Sequence, residues 1–262
     1  MLYKLPSNDI NVPSNWSKVF TYQLLYRLGC PVMKSVLLSD TKAISQSILD
    51  EIKDYLESNQ TTLRFQYIKP NSKPIRGGSI VTLDSQCISK YISDEYLLWF
   101  MNPLDRLKNK YGINVTFNKH LEKIIYEIVG QGFDVSDLNR GDLKPHETLL
   151  LNPSYDRGYY DSLLYRIGVE IIEEKEFFKS IEYRISKLSN MGISVSTDIF
   201  NAKFIPLPLS ILEKIDKYTT NVFEHFQYNE DINISLSVTE DYKIIFWDIQ
   251  TFKNKYETFK EK

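Results

Sequence analysis

The sequence has little of what marks the specialised protein classes. Its 262 residues include two cysteines and three histidines, and neither set has the spacing of a zinc site or a catalytic triad. No apolar run reaches the roughly 18 residues of a membrane span, and the opening stretch MLYKLPSNDI lacks the apolar core of a signal peptide. A net charge of −2 and a pI of 6.0 give no overall basic footprint for nucleic acid. These absences predict a cytoplasmic protein in a reducing compartment, and they disfavour a membrane or a nucleic acid as its partner.

What the sequence does contain is the apolar patterning of a globular chain. Aromatic residues make up 13% of the chain and charged residues 25%, which argues against disorder. The apolar spacing predicts helices at 15–28, 41–57, 159–190 and 208–227. Strands are predicted at 31–38, 62–68, 79–83, 96–103, 113–118, 123–129, 193–200, 231–239 and 243–250. Because these strands are often neighbours in sequence, we expect an α+β protein with mainly antiparallel sheets.

The common phosphate-binding motifs are missing, and looser candidates take their place. There is no GxGxxG after the first strand and no GxxxxGK followed by Ser or Thr, which disfavours a Rossmann domain and a P-loop. Arg64 lies in the middle of a predicted strand, where its planar guanidinium suits either phosphate or an outward, half-exposed position. The predicted loop KPNSKPIRGG (69–78) offers backbone N–H groups, Lys73 and Arg76 to phosphate, or it is an ordinary hairpin loop.

Two acids lie in strands that are otherwise apolar. Asp248 interrupts KIIFWDIQ, and a carboxylate in such a run is costly unless it is paired or binds a cation. It is therefore either an Mg²⁺ ligand or a strand-ending residue that pairs with a nearby Lys or Arg. Glu127, late in KIIYEIV, is either a ligand of the same kind or a side chain that faces solvent. In the preceding strand, one predicted face carries Asp231, Asn233, Ser235 and Ser237.

The stretch EIVGQGFDVSDLNRGDLKPHE (127–147) is rich in glycine and acids, and it is predicted to contain no helix. Long ordered connections in compact domains are usually functional, so this segment is a candidate for contact with a charged ligand. The alternative is an ordered loop held by its own side-chain turns. The basic run from Arg106 to Lys110 is more typical of a solvated loop than of a nucleic-acid site.

Four stretches carry a resemblance when they are taken together. They are NWSKVFTYQLLYRLGCPV (15–32), LRFQY (63–67), the segment 127–147 and DINISLSVTEDYKIIFWDIQ (231–250). They resemble the ATP-grasp fold, and most of all the nucleotide-binding domain of phosphoenolpyruvate synthase and pyruvate phosphate dikinase. The resemblance covers most of the chain. It implies two α+β subdomains, residues 1–98 and 99–262, with mainly antiparallel sheets and a nucleotide cleft between them.

The resemblance also implies a set of site residues for ATP and Mg²⁺. The cofactor would be held by Lys18, Arg64, Arg76, Gly77, Gly78, Met101, Asn102 and Glu127. Residues 69–79 would form the loop that covers the phosphates, and WFMNP (99–103) would form the adenine hinge. The metal would be held by Asn233, Ser235 and Asp248, and Arg64, Arg140 and Asp248 would be catalytic. In the segment 127–147, the residues facing the ligand would be Asp134, Asp137, Asn139 and Arg140.

The function implied is ATP-dependent phosphoryl transfer to a small molecule or to a histidine of a protein partner. One alternative is a carboxylate ligase that works through an acyl phosphate. A second alternative is a non-catalytic nucleotide-sensing or assembly subunit, because Ser235 stands near the position where the family has a glutamate. The sequence also departs from the family at Phe65 and Gln66, where two serines are expected, and before Lys18, where two glycines are expected.

Overall fold

The computed structural model describes residues 2–16, 18–40, 44–57, 63–68, 75–80, 97–101, 109–130, 132–133, 135–151, 166–190 and 204–251. For residues 63–68, 75–80 and 166–169 the description is of the backbone. The chain divides into two compact units, residues 1–104 and residues 105–262. Among the described helices, none is both long and apolar enough to cross a membrane.

The first unit is built on a five-stranded antiparallel sheet. Its strands are β1 (Leu2–Leu5), β2 (Ser35–Leu38), β3 (Leu63–Ile68), β4 (Ile75–Ile80) and β5 (Leu97–Met101), in the order β1-β2-β5-β3-β4. Every neighbouring pair is antiparallel. The helices α1 (Lys18–Arg27) and α2 (Gln46–Tyr55) belong to the same unit. The division predicted from the sequence, at residues 98 and 99, falls within β5.

The two helices cover opposite faces of this sheet. Because side chains alternate along a strand, Leu38 and Phe100 pack with the α2 residue Ile52, while Leu37 and Trp99 pack on the other side with residues of α1. Burying such a side chain stabilises the fold by about 1.5–3 kcal/mol. The sheet is therefore apolar on both faces near β2 and β5.

The second unit is built on a six-stranded antiparallel sheet. Its strands are β6 (Asn109–Asn118), β7 (Lys123–Val129), β8 (Glu147–Leu151), β9 (Arg166–Ile171), β10 (Ile232–Thr239) and β11 (Ile244–Thr251), in the order β11-β10-β6-β7-β8-β9. The helices are α3 (Val135–Arg140), α4 (Glu174–Asn190) and α5 (Leu209–His225). The sheets of both units confirm the predicted α+β class with mainly antiparallel pairing.

One face of the second sheet is apolar and lies against α5. The ring of Phe117 on β6 is 5.8 Å from that of Phe223 on α5, and the Tyr126 hydroxyl on β7 donates to Asp216 Oδ1 on α5 at 3.2 Å. Ile234 and Leu236 on β10 are also fully buried. Many of the alternating residues of the same strands, which lie on the opposite face, are polar, and we call this the polar face; it carries the candidate site.

Three predictions of secondary structure are wrong. Residues 166–171 form strand β9, so the predicted helix 159–190 begins only at Glu174, and residues 159–165 lie outside the description. The segment 127–147 contains the six-residue helix α3. Gly77 and Gly78 lie in β4, which pairs with β3, rather than in the predicted loop 69–78. The predicted strand 193–200 lies outside the described residues.

Candidate functional site

A row of polar residues crosses the polar face of the second sheet. Asp248 on β11 lies opposite Ser235 on β10, Ser235 lies opposite Asn114 on β6, and Asn114 lies opposite Glu127 on β7. Glu127 in turn lies opposite Thr148 on β8. Directly opposed residues in an antiparallel sheet have Cβ atoms about 5 Å apart and point to the same face. The folded sheet therefore gathers side chains that are far apart in sequence.

The Asp248 end of this row is rich in oxygen atoms. Two residues along the strands, on the same face, Asn233 on β10 lies opposite Gln250 on β11. We refer to Asn233, Ser235, Asp248 and Gln250 as the oxygen cluster. Asn233 and Asp248 are half-buried, Ser235 is buried and Gln250 is exposed.

The two amide side chains of the oxygen cluster, Asn233 and Gln250, form hydrogen bonds through their nitrogen atoms. The Asn233 amide nitrogen donates to Thr116 Oγ1 at 2.9 Å, and the Gln250 amide nitrogen donates to Asp248 Oδ2 at 3.2 Å. Within the described parts of the chain, no group donates to the side-chain carbonyl oxygen of Asn233 or Gln250. Carboxylate, carbonyl and hydroxyl oxygens are the ligands that Mg²⁺ prefers. The cluster therefore suits a hard cation better than an anion.

The oxygen cluster contains a single carboxylate, which limits what it can bind. Across the described residues, there is no group of three or more His, Cys, Asp or Glu side chains that could hold a metal ion. Mg²⁺ dehydrates reluctantly, and proteins commonly bind it through one or two carboxylates together with the phosphates of a substrate. The donor set present fits Mg²⁺ that arrives with a phosphorylated ligand, and it does not fit a closed metal cage made by protein alone.

Glu127 lies too far from Asp248 to share a cation with it. Strands β10 and β6 separate β7 from β11, and three interstrand spacings correspond to about 14 Å. The sequence left Glu127 open as a substitute for the glutamate that is missing near Ser235, and the sheet order rules out that role. Burial raises the pKa of the half-buried Glu127 carboxyl, and a hydrogen bond from Asn114 partly offsets this effect.

Arg140 and Asp137 lie in an ion-pair network that fixes α3. Asp137 is fully buried, and its carboxylate pairs with Arg184 at 3.3 Å, with Arg140 at 2.5 Å and with Lys187. Arg140 also pairs with Asp142 at 2.8 Å. Asp137 is thus occupied by protein cations, contrary to the expectation that it faces a ligand. The catalytic role of Arg140 stays a prediction.

His146 connects the two ends of the segment 130–146. Its Nδ1 accepts a hydrogen bond from the Gly130 N–H at 3.0 Å, and its ring contacts Phe133, Phe177 and Phe204 edge-on. Burial lowers the pKa of the imidazole to about 3, so the ring is neutral at ordinary pH. We assign His146 a structural role, because it packs among apolar rings rather than in the polar row.

The cofactor residues predicted in the first unit are only partly described. Lys18 begins α1 and is half-buried, and Met101 ends β5 in a buried position. Arg64 on β3 lies opposite Met101, and Arg76 on β4 lies opposite Gln66. Asn102 lies outside the described residues. The register places the predicted phosphate-binding strand next to the predicted hinge strand, and the individual roles stay predictions.

The sequence analysis did not single out Asn114 or Gln250, whereas it named Asn139 as a residue that faces the ligand. Asn114 is buried opposite Ser235, Asn139 on α3 donates to the Ser235 hydroxyl, and Gln250 lies beside Asp248. For Gln250 a signal was available, because a residue two positions from Asp248 on a strand shares its face. For Asn114, the alternation of side chains along the strand predicts which face of the sheet it lies on. Only the pairing of β6 with β10 shows that its neighbour is Ser235.

Comparison with known proteins gives similarity at the level of solved structures only. No family model and no curated protein matches the chain. The chain is similar to D-alanyl-alanine synthetase A from Vibrio cholerae O1 biovar eltor, with 13% identity and a TM-score of 0.49 over 91% of this chain and 56% of that one. It is similar to macrocyclase MdnC bound with precursor peptide MdnA from Microcystis aeruginosa, with 12% identity and a TM-score of 0.41 over 90% of this chain and 52% of that one.

A further similar structure is the ATP-grasp ligase PsnB complexed with a precursor variant, Mg and ADP, with 10% identity and a TM-score of 0.41. That match covers 90% of this chain and 49% of PsnB. The chain spans about half the length of the solved structures that it matches. At these identities and TM-scores the likeness carries no information on activity, so the function has to be argued from the residues.

Proposed function

We propose that this chain binds ATP with Mg²⁺ at the oxygen cluster and takes part in phosphoryl transfer of the ATP-grasp type. The observation that supports the proposal is the placement of Asp248 beside Ser235, with Asn233 and Gln250 in the adjacent register. A lone carboxylate among neutral oxygen donors is the donor set expected where phosphate oxygens complete the coordination of Mg²⁺. The sequence resemblance to ATP-grasp proteins names ATP as the phosphate donor.

The chemistry would rest on charge neutralisation and positioning. Bound Mg²⁺ would offset the negative charge that develops on the phosphates, and the protein would contribute little covalent chemistry. Asp248 would hold the cation, and the amide oxygens of Asn233 and Gln250 would orient its hydration shell. Lys18, Arg64 and Arg76 of the first unit would supply the positive charges that hold the phosphates.

The molecule that accepts the phosphoryl group from ATP would define the reaction. A small molecule, a protein histidine and a carboxylate all fit the proposal, and a carboxylate would make the protein a ligase through an acyl phosphate. Each acceptor needs the same Mg²⁺-nucleotide site, so the first test concerns that site.

A second candidate is a subunit that binds nucleotide without turnover. It is favoured by the single carboxylate of the oxygen cluster and by the absence of acid clusters across the described residues. Such a protein would bind ATP with little dependence on Mg²⁺. The Mg²⁺ dependence of ATP affinity therefore separates the two candidates.

The experiment is calorimetric titration of the full chain with ATP in the presence and absence of Mg²⁺, on wild-type protein and on Asp248→Asn. We expect Mg²⁺ to tighten ATP binding in the wild type and to lose most of this effect in Asp248→Asn, because the variant removes the negative charge from the cation site. Asp241→Asn is the matched control, because Asp241 is exposed in the turn of the same hairpin and pairs with Lys243.

Mg²⁺-dependent tightening that persists unchanged in Asp248→Asn would place the cation elsewhere. ATP binding that ignores Mg²⁺ in the wild type would favour the subunit without turnover. A wild-type protein that does not bind ATP at all would contradict the proposed function.

A further inference from the structure

We infer that Asn114 and Asn139 orient the hydroxyl of Ser235, so that its oxygen serves as a ligand for the cation beside Asp248. These two asparagines are positioning residues that act through Ser235. The inference rests on the proposed function, because it concerns the same Mg²⁺ site. It explains how a neutral side chain can serve at a position where an acid is expected.

A chain of hydrogen bonds runs across the polar face to Ser235. The Asn139 amide nitrogen donates to Ser235 Oγ at 3.0 Å, and the Ser235 hydroxyl donates to Asn114 Oδ1 at 3.1 Å. The Asn114 side chain also hydrogen-bonds to the carboxyl of Glu127 on the next strand. Ser235 and Asn114 are 3% and 2% exposed, so the hydrogen bond between them is shielded from competing water.

The two hydrogen bonds of the Asn114 side chain set the direction of the chain. Its carbonyl oxygen accepts from the Ser235 hydroxyl, which leaves its amide nitrogen to donate to the Glu127 carboxyl. The carbonyl oxygen can only accept, so it takes the proton of the Ser235 hydroxyl. The proton is then directed toward β6 and away from Asp248 on β11.

The remaining side of the Ser235 oxygen faces the cation site. A hydroxyl has one donor and two acceptor directions. Asn114 takes the donor direction on the β6 side, and Asn139 on α3 takes one acceptor direction. The second acceptor direction is left for the β11 side, where Asp248 lies opposite. The Ser235 oxygen therefore has a lone pair directed to the side of the Asp248 carboxylate, and the Ser235 hydroxyl donates its proton to Asn114 rather than to Asp248.

The helix α3 holds Asn139 in place through buried charges. Asp137, two residues before Asn139, pairs with Arg184 and Lys187 of α4, and Arg184 Nε also donates to the Gly132 carbonyl at 2.9 Å. Both ends of the segment before Asn139 are therefore tied to α4. A rigid support of this kind is what allows a neighbour of a ligand to affect metal affinity, typically by 10–100-fold.

The first test is Asn139→Ala in the full chain, titrated with ATP with and without Mg²⁺. We expect the tightening by Mg²⁺ to fall by about tenfold, while ATP affinity without Mg²⁺ stays unchanged. Asn139 is exposed, so the thermal midpoint of the variant without ligand should match that of the wild type. Asn190→Ala, which changes an exposed asparagine at the end of α4, is the control and should behave as wild type.

The second test asks whether the Ser235 oxygen itself contacts the cation. Ser235→Cys replaces oxygen by sulfur at nearly constant shape, and soft ligands favour soft metals. We expect weaker ATP binding with Mg²⁺ and restored tightening with Cd²⁺, compared with wild type in the same two metals. Weakening in Mg²⁺ without restoration in Cd²⁺ would overturn the assignment of Ser235 as a ligand.

The outcomes separate this inference from the proposed function. A wild type that shows Mg²⁺-dependent ATP binding, together with an Asn139→Ala variant that retains all of it, would overturn the inference and leave the proposed function intact. A wild type without Mg²⁺-dependent binding would overturn both.

Discussion

Asp216 is a half-buried acid on α5, on the apolar side of the second sheet, and it carries a cost in stability. Burial raises the pKa of its carboxyl from 3.8 to about 6, partly offset by the hydrogen bond from the Tyr126 hydroxyl. The folded protein therefore holds the Asp216 proton more tightly than the unfolded chain does. The stabilising contribution of the protonated form is complete below about pH 4, and it is lost as the pH rises through 6.

We predict that Asp216→Asn raises the free energy of unfolding at pH 7 by about 1–3 kcal/mol, since each pKa unit corresponds to about 1.4 kcal/mol and the carboxylate is partly solvated. The asparagine keeps a carbonyl oxygen for Tyr126. The variant and the wild type should become similar in stability near pH 4. Urea unfolding at a series of pH values measures the difference, with the exposed Glu213→Gln on the same helix as control. A gain that does not change with pH would show that the Asp216 charge is not its cause.

At the scale of elements, α3 is a short helix that is stabilised by its tertiary contacts. A six-residue helix is far too short to be stable alone, and Asp137 ties it to Arg184 and Lys187. We predict that Asp137→Asn costs about 3–5 kcal/mol of unfolding free energy, because it leaves buried cations without their counter-charge. Asp142→Asn removes the more exposed partner of Arg140, and it should cost much less than Asp137→Asn. Chemical denaturation of both variants checks the contrast, and equal losses would contradict the role of Asp137 as the anchor.

The same helix shows where prediction from sequence ends. The hairpin of β10 and β11 was predicted within a residue or two, because apolar alternation on both sides of a short turn depends on local pattern alone. The helix α3 was missed because its stability comes from Arg184 and Lys187, about fifty positions away. Strand β9 was read as helix because Ile167 and Ile171 fit a helical spacing as well as a strand. Asp248 was proposed from the cost of burying its carboxylate, whereas the place of Asn114 beside Ser235 depended on a strand pairing that the sequence does not reveal.

At the scale of the whole molecule, each unit carries residues that the sequence predicts to bind the nucleotide or its cation. The cation residues belong to the second unit, and the predicted phosphate-binding residue Arg64 belongs to the first. We predict that Arg64→Ala weakens ATP binding more than tenfold, because a charge-assisted hydrogen bond contributes about 1.5–3 kcal/mol. Arg27→Ala, at the exposed end of α1, should leave the affinity unchanged. Calorimetric titration of the wild type and both variants with ATP measures the three affinities. An unaltered affinity in Arg64→Ala would show that Arg64 does not bind ATP.

The pairing of β6 with β10 has a consequence for how the protein is made. Asn114 and Ser235 are hydrogen-bonded although 121 positions separate them along the chain, and closing so long a loop is among the slow steps of folding. During synthesis, β6 and β7 leave the ribosome well before β10 and β11. We therefore expect a growing chain to acquire Mg²⁺-dependent nucleotide affinity only after β11 has emerged, so that incomplete chains do not sequester ATP.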